Sequence, residues 1–190
     1  MSDRIYIAKN RNDDFRWVGF DGSDADEDGD SAFGVLLAKL RWDPVRDRWT
    51  PPPITWLPET IGREICDIPQ FRSTMWCLNA RAVDALRDML ERAGEVLPLE
   101  GLGGSFSAFN CLERYDALDR QAFETILTRD RSYSIASTRK SVPLVRARIG
   151  DSDIFKIPEA VSQTFVSERF RLTYEKAGLT GLEFYQTDVR

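Results

Sequence analysis

A chain of 190 residues, 42% of them hydrophobic, has the material for one packed domain, and at this length it buries roughly 70% of its unfolded surface. It contains no histidine, so Ser-His-Asp triads, Cys-His pairs, histidine-bearing zinc sites and a histidine general base are all excluded. The net charge of −5 is a local matter: Asp21, Asp24, Asp26, Glu27, Asp28 and Asp30 put six acids into ten residues, and the remaining residues come to about +1.

In chain order, Ile5 and Ile7 alternate with Tyr6 and Ala8 and predict a first strand. The opening residues lack the apolar stretch of a signal peptide. No run approaches the roughly 20 apolar residues of a membrane span. A cytoplasmic protein that needs no membrane is expected. Residues 15–20 read as a second short strand, and residues 33–40 fit strand or helix. Pro44, Pro51, Pro52, Pro53 and Pro58 exclude a regular helix from residues 41–60 and favour extended or turn structure.

Residues 79–93 carry the clearest helix. Asn79 is its N-cap, Val83, Leu86, Leu90 and Ala93 its apolar face, Asp88 and Arg92 an i,i+4 pair, and Gly94 its stop. Residues 96–99 lead out of it. Gly101, Gly103 and Gly104 make a turn before residues 106–115, which read as a central strand. Asp119 caps a helix spaced on Ala122, Phe123, Ile126 and Leu127, and residues 144–149 predict another strand. Cys66, Cys77 and Cys111 are scattered, with no C-x-x-C pair, and read as reduced core thiols.

The last forty residues are the most explicit. A strand over residues 153–158 precedes Ser167, an N-cap whose helix starts with Glu168 at its positive end. Phe170, Tyr174 and Ala177 form one buried stripe at i, i+4 and i+7. Gly178 sits at the left-handed C′ position, with Leu179 placed to pack back on Tyr174. Leu182 and Phe184 alternate with Glu183 in a half-buried closing strand. An internal echo relates the two capped helices: Ile68-Pro69, Asn79 and Gly94 parallel Ile157-Pro158, Ser167 and Gly178. Chance likeness of two amphipathic helices fits equally well, and either way helices layered on strands are expected.

The same residues carry a resemblance. The strings Phe165-Val-Ser-Glu-Arg-Phe170 and Ala177-Gly-Leu-Thr-Gly-Leu-Glu-Phe184, with Glu95-Val-Leu-Pro-Leu99, Phe109-Asn-Cys-Leu112 and Tyr115-Asp-Ala-Leu-Asp119 before them, resemble immunity-protein family eleven of bacterial polymorphic toxin systems. The resemblance covers the chain from about residue 65 onward. It implies a small protein that binds a toxin and blocks it, and it brings no catalytic residues.

Several residues invite a functional reading. Asp24-Ala-Asp26-Glu-Asp28-Gly29-Asp30 matches the first half of a calcium loop, but the twelfth position, which should be a bidentate glutamate, is Val35. A solvated loop, or one that presents carboxylates to a basic partner, fits the same residues; nuclease toxins need cationic clefts that such a loop can enter. Trp42, Trp49 and Trp56, with Arg41, Arg46 and Arg48, read either as core anchors of an irregular segment or as interface hot spots. Asp116 and Asp119 suit capping better than paired acid–base work. Arg139, Lys140, Arg146 and Arg148 read as a solvated strand face, without a nucleic-acid motif.

The expectation is an α+β fold: a mixed or antiparallel sheet with a few amphipathic helices packed on it, in a single compact domain with an elaborated N-terminal part. Residues 1–64 hold the N-terminal strands, the acidic loop and the Pro/Trp-rich segment; residues 65–190 hold the immunity-family-like core. The expected function is binding a cognate toxin or effector protein, without catalysis, cofactor, metal or nucleic acid. Asp24, Asp26, Glu27, Asp28, Asp30, Trp42, Arg46 and Trp49 are the expected partner-binding residues. The alternative is a calcium-dependent or other protein-binding module unconnected with a toxin.

Overall fold

The computed structural model describes residues 4–11, 14–20, 43–71, 75–129 and 141–190. In chain order its first strands are β1 (Ile5–Asn10), β2 (Trp17–Phe20), β3 (Pro53–Trp56), β4 (Gln70–Phe71), β5 (Trp76–Asn79) and β6 (Gly94–Gly101). Then come β7 (Phe106–Cys111), β8 (Pro143–Leu144), β9 (Ile154–Phe155), β10 (Thr164–Ser167), β11 (Leu182–Gln186) and β12 (Asp188–Val189). The helices are α1 (Ala80–Ala93), α2 (Arg120–Arg129) and α3 (Glu168–Lys176). The fold is α+β, with helices packed on mixed and antiparallel sheets, as the sequence predicts.

Four buried residues in a row open β1, because strand side chains alternate and both faces of this strand are covered. β1 runs antiparallel between β10 and β11, with Ile7 opposite Phe165 and Tyr185, and β9 extends the sheet beyond β10. Ile5, Ile7, Phe155 and Phe165 form one cluster, against which Phe123, Ile126 and Leu127 of α2 pack. Tyr6, Ala8, Ile154 and Val166 join the other, which holds the apolar faces of α1 and α3.

A second, six-stranded sheet has the order β4-β2-β3-β6-β7-β5. Trp76, Leu78, Phe109 and Cys111 from this sheet enter the same helical cluster, so α1 and α3 lie between two sheets. Val18, Ile54, Cys77, Leu97 and Ala108 belong to a third cluster, covered by Val45 and Trp49 of the proline-rich segment.

Local rules account for the helices. Asn79 Oδ1 accepts the Ala82 N–H at 2.9 Å, Asp119 Oδ1 the Ala122 N–H at 3.0 Å, and Ser167 Oγ the Phe170 N–H at 3.1 Å. Each cap contributes about 1 kcal/mol. Gly178 has φ of +61° and ends α3, while Leu179 donates its N–H to Tyr174 O at 3.2 Å and is buried with Tyr174. On α1, Arg87 rather than Arg92 makes the surface ion pairs, with Asp84 and Glu91. All three cysteines are free and buried; burial pushes the Cys66 and Cys111 thiols up to about 12 and raises Cys77 as well.

Two expected elements differ. Residues 144–149 do not form a strand: only Pro143–Leu144 pairs, with β12, and Arg146–Arg148 makes a tight 3-10 turn. Their amides are spent elsewhere, Arg146 N–H on Arg190 O and Arg148 N–H on Val145 O. Residues 94–101 are more than a lead-out, since β6 follows α1 directly and pairs with β7. Gly94 permits this close approach, because a Cβ there would lie 2.0 Å from Asn110 O.

The internal echo also takes a different register. Asn79 and Ser167 each hang on an upstream aspartate, Asp67 and Asp153, both 6% exposed. Each aspartate is followed by a fully buried isoleucine, Ile68 and Ile154. The equivalent places are filled by Asp-Ile pairs and not by the Ile-Pro pairs that the sequence offers.

Candidate partner-binding surfaces

The proline-rich segment is held down by one carboxylate. Glu95 on β6 is buried and accepts the backbone N–H groups of Val45 at 2.9 Å and Arg46 at 3.0 Å. Asn110 Nδ2 donates both to Glu95 and to Asp43 O, each at 3.1 Å, which closes the network. A buried carboxylate demands such donors. Trp49 is half-buried and its indole N–H donates to Pro98 O at 2.8 Å, while the Arg46 side chain is exposed.

Beside this segment lies a surface of tryptophans, arginines and isoleucines. Arg63 stacks over Trp17 at 5.5 Å and Arg16 over Trp56 at 6.0 Å, and Trp56 meets Phe106 edge-on. The loop after the short 3-10 turn Pro58–Thr60 presents Ile61 at 70% exposure and Ile65 at 57%. It is fastened from below: Thr60 is buried and accepts the Trp17 N–H, while Arg16 donates through its N–H to Glu64 O and through Nε to Arg63 O. Rigid aromatic and arginine side chains are the enriched types at interface hot spots.

A cleft of about 720 Å³ opens on another part of the molecule, along α3. One wall is the stripe Arg169, Leu172, Thr173 and Lys176, spaced i, i+3, i+4 and i+7, away from the buried Phe170 and Tyr174. The rest comes from Ile5, Arg92 near the end of α1, Arg146, residues 149–153 and the start of α3 at Ser167 and Glu168. Asp153 fixes this wall, accepting Ser167 Oγ at 2.6 Å and both Nε and Nη2 of Arg169.

Of the expected partner-binding residues, Arg46 and Trp49 stand together in one turn, where the Trp49 N–H reaches Arg46 O at 3.3 Å. Asp24, Asp26, Glu27, Asp28, Asp30 and Trp42 lie outside the described residues, as do residues 33–41, Arg139 and Lys140. Asp116 pairs with Arg120 at 3.0 Å and Asp119 caps α2, so these two carboxylates serve the helix start. The exposed Ile61, Ile65 and Leu172 were missed from sequence. Their signals are modest: Leu172 falls off the 170, 174, 177 stripe, Ile61 precedes Gly62 in a turn, where polar residues are the rule, and Ile65 follows three residues on.

Among the described residues no helix is long and apolar enough to cross a membrane, and no group of three or more cysteines and carboxylates is placed to hold a metal. Compared with known families, residues 46–189 match one described as Immunity protein family (Imm11). No curated protein matches the chain.

Proposed function

The chain belongs to the Imm11 immunity protein family, and from that premise we propose that it binds a cognate bacterial toxin or effector and neutralises it by covering the active site or the path of its substrate. The family match over residues 46–189 carries this reading. The missing histidine favours it over catalysis, since the commonest general base is not in the chain. Occlusion requires only a rigid surface, in the cytoplasm where the toxin acts, and no cofactor.

We place the contact on the N-terminal portion. Asp24, Asp26, Glu27, Asp28 and Asp30 would enter a cationic cleft of the toxin and speed encounter. Arg46 and Trp49, with Trp42 from the same Pro/Trp-rich stretch of sequence, would supply the anchors. Co-expression with the toxin-bearing product of the neighbouring reading frame tests the function. Growth is restored if the reading holds; rescue that persists when the two proteins cannot associate overturns occlusion. Changing Asp24, Asp26, Asp28 and Asp30 together to Asn weakens binding about tenfold or more at low salt and flattens its salt dependence. Unchanged affinity removes these four acids from the interface.

The D-x-D-x-D-G spacing supports one rival, a calcium-dependent protein-binding module. Calorimetry separates the two: no heat and no change in melting temperature with millimolar calcium ends the rival.

A further inference from the structure

We infer that the cleft along α3 is a second docking site for the same toxin, taking an acidic segment that carries one apolar anchor; this rests on the immunity reading above. The cleft is a formed concavity of about 720 Å³, within the range of sites that enclose a ligand or a short peptide. Leu172 stands on its wall at 52% exposure, the one exposed large hydrophobic outside the 61–65 loop among the described residues. The buried Ile5 and Ile149 also line it and extend the apolar surface that an anchor would cover.

Charge selects the occupant. Three carboxylates line the cleft, but two are spent inside the protein. Asp153 is taken by Ser167 and Arg169, and Glu168 accepts from the Tyr6 hydroxyl at 3.1 Å and from Arg171 at 3.1 Å. Asp151 is then outnumbered by Arg92 and Lys176, which have no ion-pair partner among the described residues. A lining with spare cations around an apolar residue favours carboxylates beside an aliphatic or aromatic side chain. α3 has nine residues, about 13 Å of helix, so the segment spans about two to three turns. The wall needs no rearrangement, because Asp153 already fixes Ser167 and Arg169, and a preordered surface binds at lower entropic cost.

Leu172→Asp and Lys176→Glu test this by calorimetry against the purified product of the neighbouring toxin-bearing frame. Both residues are exposed, so melting temperatures should match the wild type. If the cleft docks the toxin, Leu172→Asp weakens binding about thirtyfold or more, the size of a hot spot, and Lys176→Glu weakens it mainly at low salt. Folded variants that bind as tightly as the wild type overturn the docking site and leave the immunity reading standing. A wild-type chain that binds no such product overturns both. A wild-type dimer that Leu172→Asp turns into a monomer puts a second copy in the cleft, and that too overturns the proposal.

Discussion

At the entrance to α1 the carboxylate of Asp67 accepts from the Asn79 amide and from Arg81; at the entrance to α3 that of Asp153 accepts from the Ser167 hydroxyl and from Arg169. In both, the aspartate carbonyl takes the cap residue's own N–H at 2.9 Å, and the arginine stands two residues beyond the cap. From there the two part. Arg81 Nη2 goes on to the carbonyls of Ala177 and Gly178, at the far end of α3, at 2.6 and 3.1 Å. Thr180 gives Asp67 both its N–H and its hydroxyl, at 2.8 and 2.9 Å. Asp153 keeps its bonds within one strand–helix junction and lines the cleft. One local device therefore fastens two distant segments in one place and shapes an open wall in the other. What an ion pair contributes depends on how many further groups share its carboxylate.

The strongest way to break that parallel is to delete each aspartate. Asp67→Ala strands Asn79, Arg81 and Thr180 and is expected to cost about 3–5 kcal/mol in urea unfolding, whereas Asp153→Ala costs about 1–2 kcal/mol. Equal losses would show that the link across to α3 contributes nothing. Burial works to raise the Asp67 carboxyl, but the bonds from Asn79 and Thr180 and the charge of Arg81 outweigh it and hold it below the ordinary range. Its contribution is therefore complete above pH about 4 and is lost as falling pH passes the depressed folded value. Asp67→Asn removes that part of the acid limb.

A second contrast lies three residues past each aspartate, where the first junction has Gln70 and the second Lys156. Burial pushes the Lys156 amine down to about 8, although Nζ donates to Val161 O at 2.8 Å. The unfolded chain then holds this proton more tightly, so folding is penalised at neutral pH and the penalty fades as pH rises from about 8 toward 10.5. Lys156→Gln should raise stability at pH 7 by about 1–3 kcal/mol and abolish the alkaline rise. A variant less stable at both pH 7 and pH 10 would show that the bond to Val161 outweighs the buried charge.

The smallest effects belong to the caps themselves. Asn79→Ala and Ser167→Ala should each lower stability by about 1 kcal/mol. Exchanging the two types separates their duties. Asn79 accepts from Ala82 and donates to Asp67 through different atoms, whereas Ser167 does both through one hydroxyl. Ser167→Asn should then cost only a few tenths of a kcal/mol by thermal unfolding, and a loss as large as that of Ser167→Ala would refute the equivalence.

The caps, the Gly178 stop and the stripe at Phe170 and Tyr174 were legible because capping and periodicity act within a few residues. The aspartates were not, since Asp67 and Asp153 lie twelve and fourteen residues before their caps and only the fold returns them. Glu95 was hidden for the same reason: it looks like a polar residue leaving a helix, yet its donors come from Val45 and Arg46. The cleft is assembled from four stretches of chain that no periodicity connects, and so it left no sequence signal beyond Leu172 standing off its helix's apolar face.

β1 occupies the interior of its sheet, yet both of its neighbours come from residues 164–186. During synthesis this strand emerges before either neighbour and finds its first partner only when β10 leaves the ribosome, its second only with β11. Contacts so remote in sequence close slowly, and a nascent chain carries Ile5 and Ile7 uncovered until then. A chain cut before β11 keeps an open strand edge on β1 that invites aggregation.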